Sequence, residues 1–248
     1  MVTKFQELEQ RIDEGDETVL RDPEITKAYS LSGRTPLHYA AAKWVAVLDH
    51  PDVAKVKDQY GDTPLHQAAK FWEDAIRHRD LSKVQDIDGV SPLHIAVTRW
   101  EASLLLLDVS VVKDTGGGTP LYWAARFWEA VIQHPDVSKV VTNLGITPLH
   151  QAVMRWESAL QHPDVSRVKD KWGLTPLHWA AGCWESTVKH PDVSRVRDHK
   201  GRTPLHWAVL RWESAIDHVD SYIVIDDAGI TPLQHWAKLN QRFKNEYL

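Results

Sequence analysis

The chain has 248 residues and a formal charge of −5, enough length to bury a sizeable core in one or two domains. Eight acids and four bases fall in residues 1–32, so the remainder is nearly neutral and lacks the broad field that would draw nucleic acid or an anionic membrane. The single cysteine, Cys183, excludes an internal disulfide framework, and no apolar run reaches the ~18 residues of a bilayer span. The polar start MVTKFQELEQRIDEGDE does not read as a signal peptide, so the expected location is cytoplasmic.

In chain order, the first expected element is a helix around Lys4–Ile12. Residues 16–33 then align with residues 156–173 as a degenerate half-unit, with Asp16 where the later units have Trp. From there Thr-Pro-Leu or Ser-Pro-Leu recurs at Thr35, Thr63, Ser91, Thr119, Thr147, Thr175, Thr203 and Thr231, 28 residues apart every time. A Gly stands two residues before each, and a Trp nine residues after the first seven (Trp44, Trp72, Trp100, Trp128, Trp156, Trp184, Trp212). Unbroken spacing of this kind makes a stack in which like residues form ladders. The organisation expected is a cap over residues 1–32, seven full repeats over 33–228 and a truncated capping repeat over 229–248, with Asn240 in the Trp register, as one continuous domain.

Within a unit, Thr suits an N-cap and Pro the first helical position. From Thr147, the apolar residues Leu149, Ala152, Val153, Trp156, Ala159 and Leu160 share one helical face, which makes the Trp ladder core. Pro163 should stop the helix at His162, where an imidazolium would suit the helix dipole. Residues 164–168 read as a short turn with Asp164 capping and Val165 and Val168 inward. The periodicity permits one helix of about 15 residues from Thr to His. The Glu that follows most of the Trp residues instead favours a second helix starting there.

The motif Gly-x-Thr-Pro-Leu-His-x-Ala, in full or near-full form over residues 33–238, resembles the ankyrin repeat. The run DVSRVKDKWG resembles the loop leading into that family's next hairpin-like turn. The resemblance implies an all-α, elongated, ankyrin-like helical repeat solenoid that binds proteins through its concave face and turn tips, and it tips the helix question toward two short helices. It also implies that the His after Pro-Leu (His38, His66, His94, His150, His178, His206) bonds within and between turns. The unit departs from the family in being 28 residues long against about 33. The loss falls in the second helix, and Trp stands near the position where the family usually has Gly between its helices.

Candidate recognition residues are those that vary on this constant frame. Counting from the Thr, offset 4 carries Tyr39, Gln67, Ile95, Trp123, Gln151, Trp179, Trp207 and His235. Offset 8 carries Phe71, Arg99, Phe127, Arg155, Cys183 and Arg211, and Tyr60 and Trp172 sit beside turn glycines. Aromatics and Arg in such places suit binding hot spots, although neighbouring repeats would cover offset 4 equally well. The partner-binding set is therefore Tyr39, Tyr60, Phe71, Arg99, Trp123, Phe127, Arg155, Trp172, Trp179, Trp207 and Arg211. A ladder of His about 8–10 Å apart cannot meet zinc's ~2 Å ligand distance, so no metal is expected. The basic column Lys55, Lys83, Lys139, Arg167 and Arg195 runs beside Asp52, Asp80, Asp136, Asp164 and Asp192, which predicts ion-pair networks across repeats and disfavours nucleic acid. With no unrepeated catalytic set and no cofactor motif, the expectation is a monomeric, non-enzymatic protein–protein interaction scaffold of unspecified partner. A nucleic-acid binder and a structural spacer are the alternatives.

Overall fold

Short helices repeat throughout the computed structural model, which describes residues 3–247 and the side chains of residues 3–239. No described residue lies in a strand, and no described helix is long and apolar enough to cross a membrane. Two compact units divide the chain, Met1–Ala124 and Ala125–Leu248. The first holds α1 (Lys4–Asp13), α2 (Pro36–Lys43), α3 (Pro64–Phe71), α4 (Pro92–Ala96) and α5 (Pro120–Ala124). The second holds α6 (Pro148–Ala152), α7 (Pro176–Ala180), α8 (Pro204–Ala208), α9 (Glu213–Ile216) and α10 (Pro232–Tyr247). Within each unit the first helices of successive repeats pack on one another, the arrangement of a helical-repeat solenoid.

The cap at α1 forms where expected, with a capping box between Thr3 and Gln6 and Leu8 and Ile12 buried. Asp16, in the Trp register, instead caps a 3₁₀ turn over Glu17–Arg21. Each repeat then adds the same buried set. Leu37, Leu65, Leu93, Leu121, Leu149, Leu177 and Leu205 are wholly buried, as are the Ala residues three positions on.

Polar ladders accompany this apolar one. In the first unit the Thr63 amide donates to His66 Nδ1 at 3.0 Å, so the imidazole proton sits on Nε2, which donates to Val90 O at 3.0 Å in the following tip. His38 and His94 bond Asp62 O and Gly118 O in the same way. In the second unit His150, His178 and His206 reach Leu174 O, Arg202 O and Ile230 O. One imidazole thus caps its own helix and ties it to the next repeat. Burial pushes the pKa of these His down, to about 4 for His150 and His178.

The helix question resolves into two short elements rather than one long helix. Each Trp after the first helix is extended, with φ −126° and ψ 120° at Trp72 and φ −127° and ψ 109° at Trp156. One 3₁₀ turn follows, as at Glu73–Arg77 and Glu157–Gln161; only α9 is α-helical there. The indole explains the break. Nε1 of Trp72 and Trp100 donates to Ala41 O and Ala69 O at 2.9 and 3.1 Å. In the second unit Trp156 and Trp212 donate to Ala125 O and Ala181 O at 3.1 and 2.8 Å. Each acceptor lies near the end of the preceding repeat's first helix, where carbonyls lack intrahelical partners. The ladder is therefore half-buried capping rather than wholly buried core. In the last repeat, where Asn240 replaces Trp, α10 runs unbroken from Pro232 to Tyr247; the Asn240 side chain lies outside the described residues.

Three further expectations are corrected. The His162 ring caps the turn after it rather than the helix before it: its Nδ1 accepts the Asp164 amide at 3.1 Å, as His50, His134 and His190 do for Asp52, Asp136 and Asp192. The Pro that follows holds the His extended, φ −69° and ψ 133° at His162, and the freed ring nitrogen caps the next turn. The turn buries Val165, but Val168 is only half-buried. The basic column does not bridge repeats either. Lys55, Lys83, Lys139 and Arg167 pair with the acid three residues earlier in their own turn. A Ser hydroxyl makes the inter-repeat bond, with Ser138 Oγ 2.6 Å from Asp164 Oδ2 and Ser166 Oγ 2.7 Å from Asp192 Oδ2. Lys on a long exposed stem reaches its nearest acid first, whereas a short Ser is held where only the next repeat's Asp is in range.

Trp156→Phe keeps the ring but orphans the Ala125 carbonyl, and should destabilise by about 1–3 kcal/mol in urea unfolding. Trp172→Phe, on an exposed tip, should stay within about 0.5 kcal/mol; equal effects would remove the capping role. The lowered His values also set a pH window. A depressed His contributes stability present above its ordinary value of 6.5 and lost as pH falls toward about 4. His178→Gln, copying Gln234 and its bond from the Thr231 amide, should lose less stability than the parent between pH 6.5 and 4, read from urea midpoints across that range.

Candidate functional site

The framework leaves two kinds of varied position, and their geometry separates them. Offset 4 is half-buried at its aromatics and buried at Gln67. Trp123 Nε1 donates to Asp114 Oδ2 at 2.9 Å, and its ring meets His94 edge-on with centroids 5.4 Å apart. Trp179 repeats this in the second unit, on Asp170 Oδ2 at 3.2 Å and His150 at 5.4 Å. Tyr39 packs edge-on against Phe5 at 5.7 Å. The indole of Trp207 differs. Its Nε1 has no partner, because Arg202 Nε takes Asp198 Oδ2 at 2.9 Å and its guanidinium lies 4.5 Å from the Trp207 ring centre. Trp123 and Trp179 brace neighbouring repeats through these rings, and the Nε1 edges of the three indoles turn inward.

The rest of the expected set is exposed. Tyr60, Phe71 and Phe127 are 53, 50 and 50% exposed and Trp172 is 47%, and Arg99, Arg155 and Arg211 are exposed too. Among the described residues none of these three Arg has an ion-pair partner. Phe71 and Arg99 lie on one edge of the first unit, at the C-terminal ends of the first helices. Phe127, Arg155, Cys183 and Arg211 lie on the matching edge of the second. Burial raises the Cys183 thiol pKa, with Arg211 opposing it.

A role missed in the sequence belongs to the Asp that opens most of the tips. Asp170 Oδ1 accepts the amides of Trp172 and Leu174, both at 2.9 Å, and its Oδ2 takes the Trp179 indole. Asp58, Asp86, Asp198 and Asp226 hold their tips in the same way. Burial works to raise the Asp198 pKa, but the Lys200 and Arg202 amides and the Arg202 guanidinium outweigh it and hold the carboxyl low. The signal was present as Asp-x-x-Gly at the 28-residue spacing, a pattern that suits an Asx turn as well as an ion pair. The turn needs its Gly: at Gly89, φ +74°, a Cβ would lie 2.9 Å from the Thr115 amide nitrogen of the next tip.

Metal and pocket chemistry were weighed on the same geometry. Donor atoms of His206, Asp226 and His235 lie within 4.8 Å of one another. Both His206 nitrogens are engaged, Nδ1 by the Thr203 amide and Nε2 with Ile230 O. His235 Nε2 meets Asp226 Oδ2 at 2.9 Å, where two other tips place an indole on the Asp. The cluster is a tip brace with one imidazole to spare. A groove of about 1070 Å³ in the second unit is lined by Glu157, Cys183, Trp184, Ser186 and Trp212 among others, residues of a repeated register with no unique titratable set.

Comparisons with models of known protein families and with curated protein sequences find no match.

Asp170→Ala should destabilise by roughly 2–4 kcal/mol, since two amides and one indole lose their acceptor. Asp170→Thr should cost under half of that, because Thr142 Oγ1 receives the Leu144 and Ile146 amides at the equivalent tip. Equal losses in thermal unfolding would contradict the clamp.

Proposed function

We propose that the chain is a shortened ankyrin-like repeat protein that recognises protein partners and has no catalytic activity of its own. In this reading it works as a monomer in a reducing, cytoplasmic setting where Cys183 stays a thiol. The observation that carries the reading is the division of labour among side chains. Thr, His, Asp and Trp of the framework are consumed by bonds inside and between repeats, while Phe71, Phe127, Tyr60 and Trp172 stand half-exposed on that fixed frame. Large aromatics presented without internal use are the side chains that dominate protein interfaces, and a preformed surface loses little entropy on docking. Half-exposed positions at Tyr39, Trp123, Trp179 and Trp207 would serve indirectly, by holding the edges in place.

Nucleic acid is the weaker reading because four of the basic-column side chains already face a carboxylate in their own turn.

The test is quantitative affinity enrichment from cell extract on immobilised parent chain and on a Phe71→Ala/Phe127→Ala variant of equal thermal stability. A protein enriched by the parent and reduced about tenfold or more by the variant, corresponding to roughly 1.4 kcal/mol, supports the reading. Enrichment of nucleic acid with steep salt dependence, or identical profiles from both baits, overturns it.

A further inference from the structure

The tips of the second unit differ in chemistry, and two adjacent ones stand apart. Residues 169–172 and 197–200 present Lys169, Lys171, Trp172, Arg197, His199 and Lys200, all exposed. The acids among them, Asp170 and Asp198, are buried and used as turn clamps, so their charge faces inward. The cluster is bounded: Lys171 N donates to Leu144 O at 2.9 Å on one side, and Asp227 N to Lys200 O at 3.0 Å on the other. The two tips are zipped by the His199 amide on Trp172 O at 3.0 Å and by Lys169 Nζ on Arg197 O at 2.9 Å. Arg197 in turn donates to Gly201 O and Ile225 O, and Lys171 Nζ lies 4.5 Å from the Trp172 ring centre. The side chains of Lys169 and Arg197 and the Lys171–Trp172 pair are therefore held in place before anything binds.

We propose that this pair of tips is a docking site for an extended acidic peptide segment carrying one apolar side chain, with carboxylates on Lys171, Arg197 and Lys200 and the apolar residue on the Trp172 indole. The proposal rests on the protein-recognition reading and adds the chemistry of the partner. Adjacent tips lie about one helix-packing distance apart, and an extended chain covers that in roughly three residues. Acids three residues apart flanking an apolar residue match the pattern. Single-stranded nucleic acid fits less well because it stacks successive bases on successive aromatics. Here one indole stands alone between Leu144 and Ala228, with a lysine already on its ring.

The experiment titrates the full chain into a fluorescein-labelled peptide, Gly-Glu-Asp-Leu-Glu-Asp-Gly, and into labelled octauridylate, by anisotropy at low salt. Saturable peptide binding is expected. It should weaken about tenfold or more in Lys171→Glu/Lys200→Glu, several-fold in Trp172→Ala and not in Ile87→Ala, at an exposed tip of the first unit, with thermal unfolding unchanged in all three. The proposal is overturned by absent saturation, by charge reversal without effect, or by octauridylate binding more tightly than the peptide with the same sensitivity to the variants. Loss of this site would leave the Phe71 and Phe127 edges, and the test of the wider reading, untouched.

Discussion

A five-residue helix cannot satisfy its own backbone. The first four amides and last four carbonyls of any α-helix lack intrahelical partners, so α6, α7 and α8, five residues each, consist almost wholly of orphans. Isolated helices below about 12–15 residues are marginal even in favourable sequences. What makes the unit viable is that its neighbours supply the missing groups. The preceding turn accepts an amide from the helix start, as from Leu177 N to Val165 O at 2.9 Å. The His three residues into these helices accepts another, and after α6 and α7 the following repeat's indole caps a carbonyl at the far end. A 28-residue unit with a single short turn after its first helix holds together because the next repeat's Trp caps that helix.

That constraint decides where function can reside. Side chains that complete a neighbour's backbone can change only to ones that keep the bond, as Gln234 does for the Thr231 amide, whereas those beyond the caps are free to vary. The exposed edges at Phe71, Phe127 and Arg155 and the tips at Tyr60 and Trp172 are such places, and a frame bonded at both ends of every helix holds them still. The same logic reassigns Trp123 and Trp179. They vary between repeats, yet their indoles complete the Asp clamp, so their variation tracks what each tip needs.

Much of this was legible before any coordinates. Thr-Pro marks each helix start, the 28-residue period implies stacking, and Asp16 and Asn240 mark atypical ends. The bonds that run between repeats were harder to read. The His whose Nε2 reaches a carbonyl 24 residues ahead was expected only through the family resemblance, and a Trp whose Nε1 reaches one 31 residues back leaves the same periodic trace as a plain core residue. Apolar periodicity carried straight through Trp156 and allowed a single long helix, because a half-buried capping indole occupies the same helical stripe as a packed one. Asp beside Lys at a fixed spacing looked like an inter-repeat ion pair; the nearer Asp pairs inside its own turn, while the Asp at the tip binds amides.

The most direct measurement is hydrogen exchange of the Trp Nε1 protons, followed by NMR on indole-¹⁵N-labelled chain with resonances assigned by single Trp→Phe variants. The account predicts slow exchange for Trp72, Trp100, Trp156, Trp184 and Trp212, whose indoles donate to carbonyls of the preceding repeat, and fast exchange for the exposed Trp172. Exchange of the ladder indoles as rapid as that of Trp172 would contradict it.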